Sequence, residues 1–329
     1  MLVLSAANLR AALPMADAIA AMKRAFASLS DGRAQVPLRS HVVVPRHDGE
    51  SLFMPAFVED EAVEALTVKI VSVFPHNPKR GLPTLHAAVV VLDPRTGRPT
   101  ALLEGGMLTA IRTGAASGAA TDLLARPDSR VAAIFGAGVQ ARTQLEAICT
   151  VRQLRTVWMY DRIAERSETF VRELAGQGPI PDDLRVASSP QEAVADADVI
   201  CTATTSLLPV FEDADLKPGV HLNGIGAYRP DMQEVPAETV ARAVVVVDSR
   251  DAALAEAGDL IQPLQQGLIT ETHIHAELGE LVLGRKKGRA DADQISFFKS
   301  VGVAVQDAMA ASVALKNAEA SGLGQRVEW

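Results

Sequence analysis

The 329 residues predict an α/β protein in which a doubly wound parallel sheet follows a smaller α+β domain, with the end of the chain returning to that first domain. Three observations carry the prediction. An apolar strand runs into a glycine-rich turn at Gly136. From Arg130 onward, apolar runs alternate with helix-length segments, whereas residues 35–104 show short β-branched runs cut by Pro, Gly and Asp.

Residues 14–30 place Met15, Ile19, Met22, Phe26 and Leu29 at alternating spacings of four and three, after Pro14 and before Asp31-Gly32. That pattern predicts an amphipathic helix. The runs 42–44, 66–74 and 85–92, with the turn Pro94-Arg95-Thr96-Gly97, predict a small mixed sheet. Residues 107–125 predict a helix carrying Ala110, Gly114, Ser117, Gly118 and Thr121 along one side. Glycine inside a helix costs about 1 kcal/mol relative to alanine, so two of them imply that another backbone packs close.

Strands are then expected at 130–135, 155–160, 185–187, 198–203, 220–225 and 243–248. A run such as Val244-Val245-Val246-Val247 suits a strand buried on both faces, as in a parallel sheet covered by helices. After Asp293 a last helix is expected to carry Phe298, Gly302, Val305, Met309 and Val313, long enough to cross back onto the first domain. The expected division is 1–121 and 122–304, with 305–329 returning to the first part.

Composition excludes some functions. Against 40 acidic residues stand 32 basic ones, a net charge of −8, and no basic run exceeds Arg285-Lys286-Lys287, which argues against nucleic-acid binding. There is no uncharged apolar stretch of about 18 residues and no secretory leader pattern, so neither a membrane span nor export is expected and the cytoplasm is the expected location. Cys149 and Cys201 sit in apolar segments and read as reduced core thiols.

Val131-Ala132-Ala133-Ile134-Phe135 leads into Gly136-Ala137-Gly138-Val139-Gln140-Ala141 and a helical segment. This is the Rossmann-type dinucleotide fingerprint in its strand–turn–helix context. Gly136 permits the turn, Gly138 lets the backbone approach a pyrophosphate, Ala141 allows close packing, and the amides at the helix start face phosphate. The next strand ends at Asp161, where a carboxylate would bind ribose. Its charge repels a 2′-phosphate, although Arg162 could accept one, so NAD(H) is favoured and NADP(H) possible.

Three cations stand among apolar neighbours: Lys69 inside strand 66–74, Arg112 on the helix of small residues, and Arg39 beside Val36-Pro37-Leu38. With no anion near them in sequence they suggest an anionic ligand, a small acid held against the nicotinamide. His273, His275 and Glu277 would not all lie on one helical face, so no metal site is expected.

The segments Leu66-Thr67-Val68-Lys69, Gly81-Leu82-Pro83-Thr84, Leu108-Thr109-Ala110-Ile111-Arg112-Thr113, the glycine fingerprint and Gly226-Ala227-Tyr228-Arg229-Pro230-Asp231 carry a resemblance along nearly the whole chain. Together they resemble the ornithine cyclodeaminase and mu-crystallin family. The resemblance implies a homodimer with an N-terminal substrate-binding and dimerisation domain and a second domain for NAD(H) or NADP(H). It matches Arg39, Lys69 and Arg112 to positions that hold a substrate carboxylate. Thr84, Val139, Gln140, Asp161, Thr202, Ile225 and Gly226 match cofactor contacts, with Ser300 as an addition.

Two departures bear on the reaction. Ornithine cyclodeaminases carry an aspartate where this chain has Tyr228, and a glutamate near the position of Leu52. Without those carboxylates a diamine loses its partners, and the chain looks closer to the mu-crystallin-like branch, whose enzymatic members reduce cyclic ketimines. The expected activity is NAD(P)H-dependent reduction of Δ1-pyrroline-2-carboxylate or Δ1-piperideine-2-carboxylate by hydride transfer. Lys69, Arg112 and Asp231 are the catalytic candidates, and the proton comes from Lys69, a water near Tyr228, or Asp231. The alternatives are ornithine cyclodeamination, an alanine-dehydrogenase-like activity, and a crystallin-type binding protein without turnover.

Overall fold

The computed structural model describes residues 1–60 and 63–328; Trp329, the last residue of the expected returning segment, lies outside them. The chain divides into two compact units, Met1–Arg112 with the segment from Val303 onward, and Thr113–Gly302. The first division falls inside the helix Gly105–Leu124 rather than after Thr121, because a continuous helix carries no turn or composition change to mark it.

In the first unit, β1 (Leu2–Leu4), β2 (Ala34–Gln35), β3 (Ser40–Val44), β4 (Gly49–Glu59), β5 (Glu64–Val73), β6 (Leu85–Leu92) and β7 (Pro99–Glu104) form one sheet. Its order runs from the C-terminal strand Gln325–Arg326 through β1, β7, β6, β5 and β4 to β2, with β3 also paired to β4. Burial alternates with the two-residue period of a strand: Leu52, Met54, Ala56 and Val58 of β4 and Ala65, Thr67, Lys69 and Val71 of β5 are buried. Against these strands lies the C-terminal helix Ala304–Ala320, which also packs on the expected helix, Met15–Ser30.

This sheet is larger than the sequence suggested, chiefly because Pro55 hides β4. Pro55 sits beyond the residues paired with β3, 49–53, and short of those paired with β2, 57–58, so its missing N–H removes no bond on that edge.

The second unit holds β8 (Val131–Phe135), β9 (Thr156–Tyr160), β10 (Leu184–Val186), β11 (Val199–Thr202), β12 (His221–Gly224), β13 (Val244–Val247), β14 (Ile274–Glu277) and β15 (Ser296–Lys299). All pair in parallel, in the order β10-β9-β8-β11-β12-β15-β13-β14. The strand order reverses beside β8, which creates the crevice at the carboxyl ends of β8 and β11 where such sheets bind ligands. Two apolar cores, one built around Phe135, Val220 and Phe297 and one around Ile134, Leu145 and Phe170, fill the unit. The close approach expected of the small-residue helix occurs at Gly114, where a Cβ would lie 2.4 Å from the Thr143 carbonyl oxygen.

The expectation for the region after Asp293 needs correction. Residues 296–299 are a strand between β12 and β13, and the helix begins only at Ala304. Phe297, Phe298 and Lys299 are all fully buried there, so the helical spacing from Phe298 to Gly302 was coincidental. Among the described residues no helix is long and apolar enough to cross a membrane.

Candidate active site

Strand β5 and the helix Gly105–Leu124 bring two of the three expected cations together in the first unit. Lys69 points to the buried face of β5, and its Nζ lies 2.7 Å from Oδ2 of Asp307 on the C-terminal helix. Arg112 donates from Nε to Oδ1 of the same carboxylate at 3.1 Å and from Nη1 to Gln306 Oε1 at 2.9 Å. The two cations therefore do have an anion, supplied from 195 positions along the chain from Arg112 and from still farther along from Lys69. One buried carboxylate serving Lys69 and Arg112 leaves one positive charge over. The Nε2 of Gln306, also buried, has no partner among the described residues. A cluster of excess positive charge with a spare amide donor fits a carboxylate ligand.

Burial pushes the Lys69 ammonium down to about 8; Asp307 opposes this, and the charges of Arg112 and Arg39 add to the lowering. Arg39 thus makes its field felt at Lys69 although it lies in the segment before β3. Nothing in the sequence marks Asp307 and Gln306, because their helix also carries the apolar Val305 and Met309 and the partners of Asp307 lie far away along the chain.

In the second unit, β8 ends at Phe135 and is followed by Gly136, whose φ of +92° is open to glycine but strained for other residues. Gly138 caps the helix Val139–Val151, and a Cβ built on it would meet nothing within 4 Å. Open space before a helix start is what a pyrophosphate needs. Val139 is exposed, and Oε1 of Gln140 is buried without a partner among the described residues. Asp161, directly after β9, accepts from Ala137 N and Ile163 N at 2.9 Å each, so its carboxylate braces the glycine turn; Arg162 is exposed. These features fit a dinucleotide.

Thr202 and Ile225, at the ends of β11 and β12, are buried, and Gly226 follows. The Ser300 hydroxyl is already used, donating to Asp248 Oδ2 at 2.8 Å. Thr84, in the first unit, is exposed, with its carbonyl accepting from Phe74 N.

The ornithine cyclodeaminase/mu-crystallin family matches residues 1–322. The chain belongs to that family. A Δ1-pyrroline-2-carboxylate reductase of Bacillus cereus is 40% identical, over 100% of both chains. The ketimine reductase mu-crystallin of Mus musculus is 39% identical, over 88% of this chain and 87% of its own. The structure of Thermococcus litoralis Δ1-pyrroline-2-carboxylate reductase in complex with NADH and L-proline matches with a TM-score of 0.94 at 44% identity, covering 99% of this chain and 100% of that one.

Within this ornithine cyclodeaminase/mu-crystallin frame the remaining candidates can be placed. Leu52 is buried on the same face of the sheet as Lys69, since Met54 pairs with Lys69 and Leu52 with Val71. An apolar side chain therefore stands near the position where the resemblance implies a glutamate in cyclodeaminases. Tyr228 is partly exposed in the loop after β12. Asp231 is exposed and ion-paired to Arg229 at 3.0 Å, and those hydrogen bonds hold its carboxyl below the usual range. A carboxylate kept ionised is a poor proton donor near neutrality, which counts against Asp231 as the donor. His273 and His275 each bond a backbone carbonyl at 2.8 Å, and no group of three potential metal ligands occurs among the described residues.

Proposed function

We propose that this protein reduces a small cyclic imino acid, Δ1-pyrroline-2-carboxylate or its six-membered homologue, to the cyclic amino acid with NADH. The observation that carries this reading is the buried cluster in which Lys69 and Arg112 share Asp307 and keep one positive charge to spare. Arg112, fixed by Asp307 and Gln306, presents its remaining guanidinium edge to the substrate carboxylate, and Lys69 and Arg39 complete the grip. Held by its carboxylate, the ring has its C=N carbon in a fixed place, and positioning supplies much of the rate. When bound in the crevice of the second unit, reduced nicotinamide supplies the hydride. Lys69 holds a proton that it can give to the imine nitrogen, because an ammonium with a pKa of about 8 is charged at neutrality yet not far from releasing.

Asp161 favours NADH over NADPH, since a buttressed carboxylate repels a 2′-phosphate on the ribose. The names of the relatives point to the same chemistry, and the apolar Leu52 and the absence of a carboxylate at Tyr228 count against a diamine substrate. A homodimer is part of the proposal. Phe53, Pro55, Phe57, Leu66, Val68 and Ile70 line the sheet face opposite Lys69 and are only partly buried, an apolar surface suited to a second copy. We place the protein in the cytoplasm, where the free, buried thiols Cys149 and Cys201 stay reduced.

The test is a steady-state comparison of both cyclic imines, ornithine, and pyruvate with ammonia, each with NADH and NADPH. Continuous oxidation of NADH with a cyclic imine is expected. Ornithine turnover to proline without net change in NADH absorbance would replace this reading with cyclodeamination.

A further inference from the structure

Beneath the ends of β11, β12 and β15 lies a buried polar group that the reaction above does not use. Glu234 is completely buried in the connection after β12. Its Oε1 accepts from Thr204 N at 2.6 Å and Thr204 Oγ1 at 2.7 Å; its Oε2 accepts from Thr202 Oγ1 at 3.0 Å, Gly226 N at 2.6 Å and Ala227 N at 3.1 Å. Thr204 Oγ1 in turn accepts from Ser206 N, so its own proton goes to Glu234. All five partners donate, which suits a carboxylate and leaves no acceptor for a proton on it. Burial and then Asp259 push this carboxyl upward, while Lys299 and the Thr204 donors oppose them.

The backbone of Glu234 is fixed as well. Asp259 Oδ1 accepts from Glu234 N at 2.7 Å and from Val235 N at 3.0 Å, and Asp259 Oδ2 lies 2.9 Å from Lys299 Nζ. Two carboxylates and one ammonium make a buried cluster of net charge −1. It ties the loop after β11 to the loop after β12. In a doubly wound sheet with its phosphate turn after β8 and its ribose carboxylate after β9, the adenosine half lies over β8 and β9. The nicotinamide half then lies over the neighbouring ends of β11 and β12.

We infer that Glu234 is a positioning residue for the nicotinamide half of the cofactor: it locks the Thr202–Ser206 and Ile225–Ala227 loops into one floor and sets a fixed negative charge beneath it. That charge favours the oxidised, cationic ring over the neutral reduced one, and so favours hydride release. The inference rests on the proposed use of a nicotinamide dinucleotide, and its test separates the two.

Dissociation constants for NADH and NAD⁺ are measured without substrate, by nucleotide fluorescence and calorimetry, on wild type, Glu234→Gln and Thr204→Val. Gln has one acceptor oxygen for five donors and no charge. A unit charge acting over about 10 Å at an effective dielectric of about 20 changes an affinity roughly tenfold. Glu234→Gln is therefore expected to weaken both nucleotides, and NAD⁺ roughly tenfold more than NADH. Thr204→Val removes the bond to Glu234 Oε1 and the one accepted from Ser206 N but keeps the charge, so both nucleotides should weaken together by roughly fivefold. Folded Glu234→Gln with unchanged constants, or with equal losses for the two nucleotides, overturns the inference. If that variant does not fold, Thr204→Val binding like wild type overturns it. Failure of wild type to bind either nucleotide would instead remove the cofactor reading.

Discussion

At the scale of single residues, the proposed function makes Lys69 the group on which substrate handling turns. Lys69→Met preserves most of the stem and removes the charge. A hydrogen bond to a charged partner contributes about 1.5–3 kcal/mol, so kcat/KM for the cyclic imine should fall by roughly 10- to 150-fold. The NADH dissociation constant should stay within about twofold, because Lys69 belongs to the first unit and the glycine turn to the second. Equal losses of substrate use and nucleotide binding would contradict this division. The pH profile has a fixed sign. If Lys69 must be protonated, kcat/KM stays level below its pKa of about 8 and drops about tenfold per pH unit above it. A profile that rises through this range would assign the proton elsewhere. The residue type and the apolar strand around Lys69 were visible in sequence. Its partner was not, since nothing local links β5 to Asp307 on the last helix.

Among the elements, the helix Gly105–Leu124 gives the sharpest contest between local preference and packing. Alanine at position 114 would gain about 1 kcal/mol of helix propensity. Its Cβ would also sit 2.4 Å from the Thr143 carbonyl, a backbone atom that cannot rotate away. Overpacking costs about 1–3 kcal/mol or more, so Gly114→Ala is expected to be destabilising on balance and to lower Tm by several degrees. A raised Tm would show that the two helices can separate freely. Strands of the second sheet such as β8, β11 and β13 were legible one by one because they are buried along nearly their whole length and almost wholly apolar. Two escaped. The Phe297-Phe298 strand also satisfied a helical spacing, and β14 is obscured by His275 within it and His273 just before it, both bonded to backbone carbonyls of other segments. In the first sheet, β4 was obscured by a proline whose position is harmless only once its neighbours are known.

For the molecule as a whole, acid stability follows from a group with no part in the reaction. His221 on β12 is fully buried between Ser296 Oγ at 3.0 Å and Asn223 Oδ1 at 3.2 Å, and burial, with Arg289 adding to it, lowers its pKa from 6.5 to about 3. The unfolded chain takes up this proton below 6.5 while the folded one does not until about 3. Stability is therefore intact above 6.5 and declines as pH falls through that window, by about 1.4 kcal/mol per unit. His221→Gln should lose roughly 2 kcal/mol less than wild type between pH 7 and pH 5, read from urea midpoints. Parallel losses in the two proteins would exclude His221 as the source. What the sequence determined alone was local: the glycine turn and its following carboxylate, the runs of a parallel sheet, the stripe of the second helix, and three cations too polar for their surroundings. Each depends on residues within a few turns of one another, where backbone geometry and side-chain period act directly. Only the tertiary structure decided that Asp307 joins Lys69 to Arg112 and that Glu234 fastens two loops with five hydrogen bonds. Such partners are chosen by chain crossings over long separations, and a buried charge accepts whichever opposite group the fold delivers.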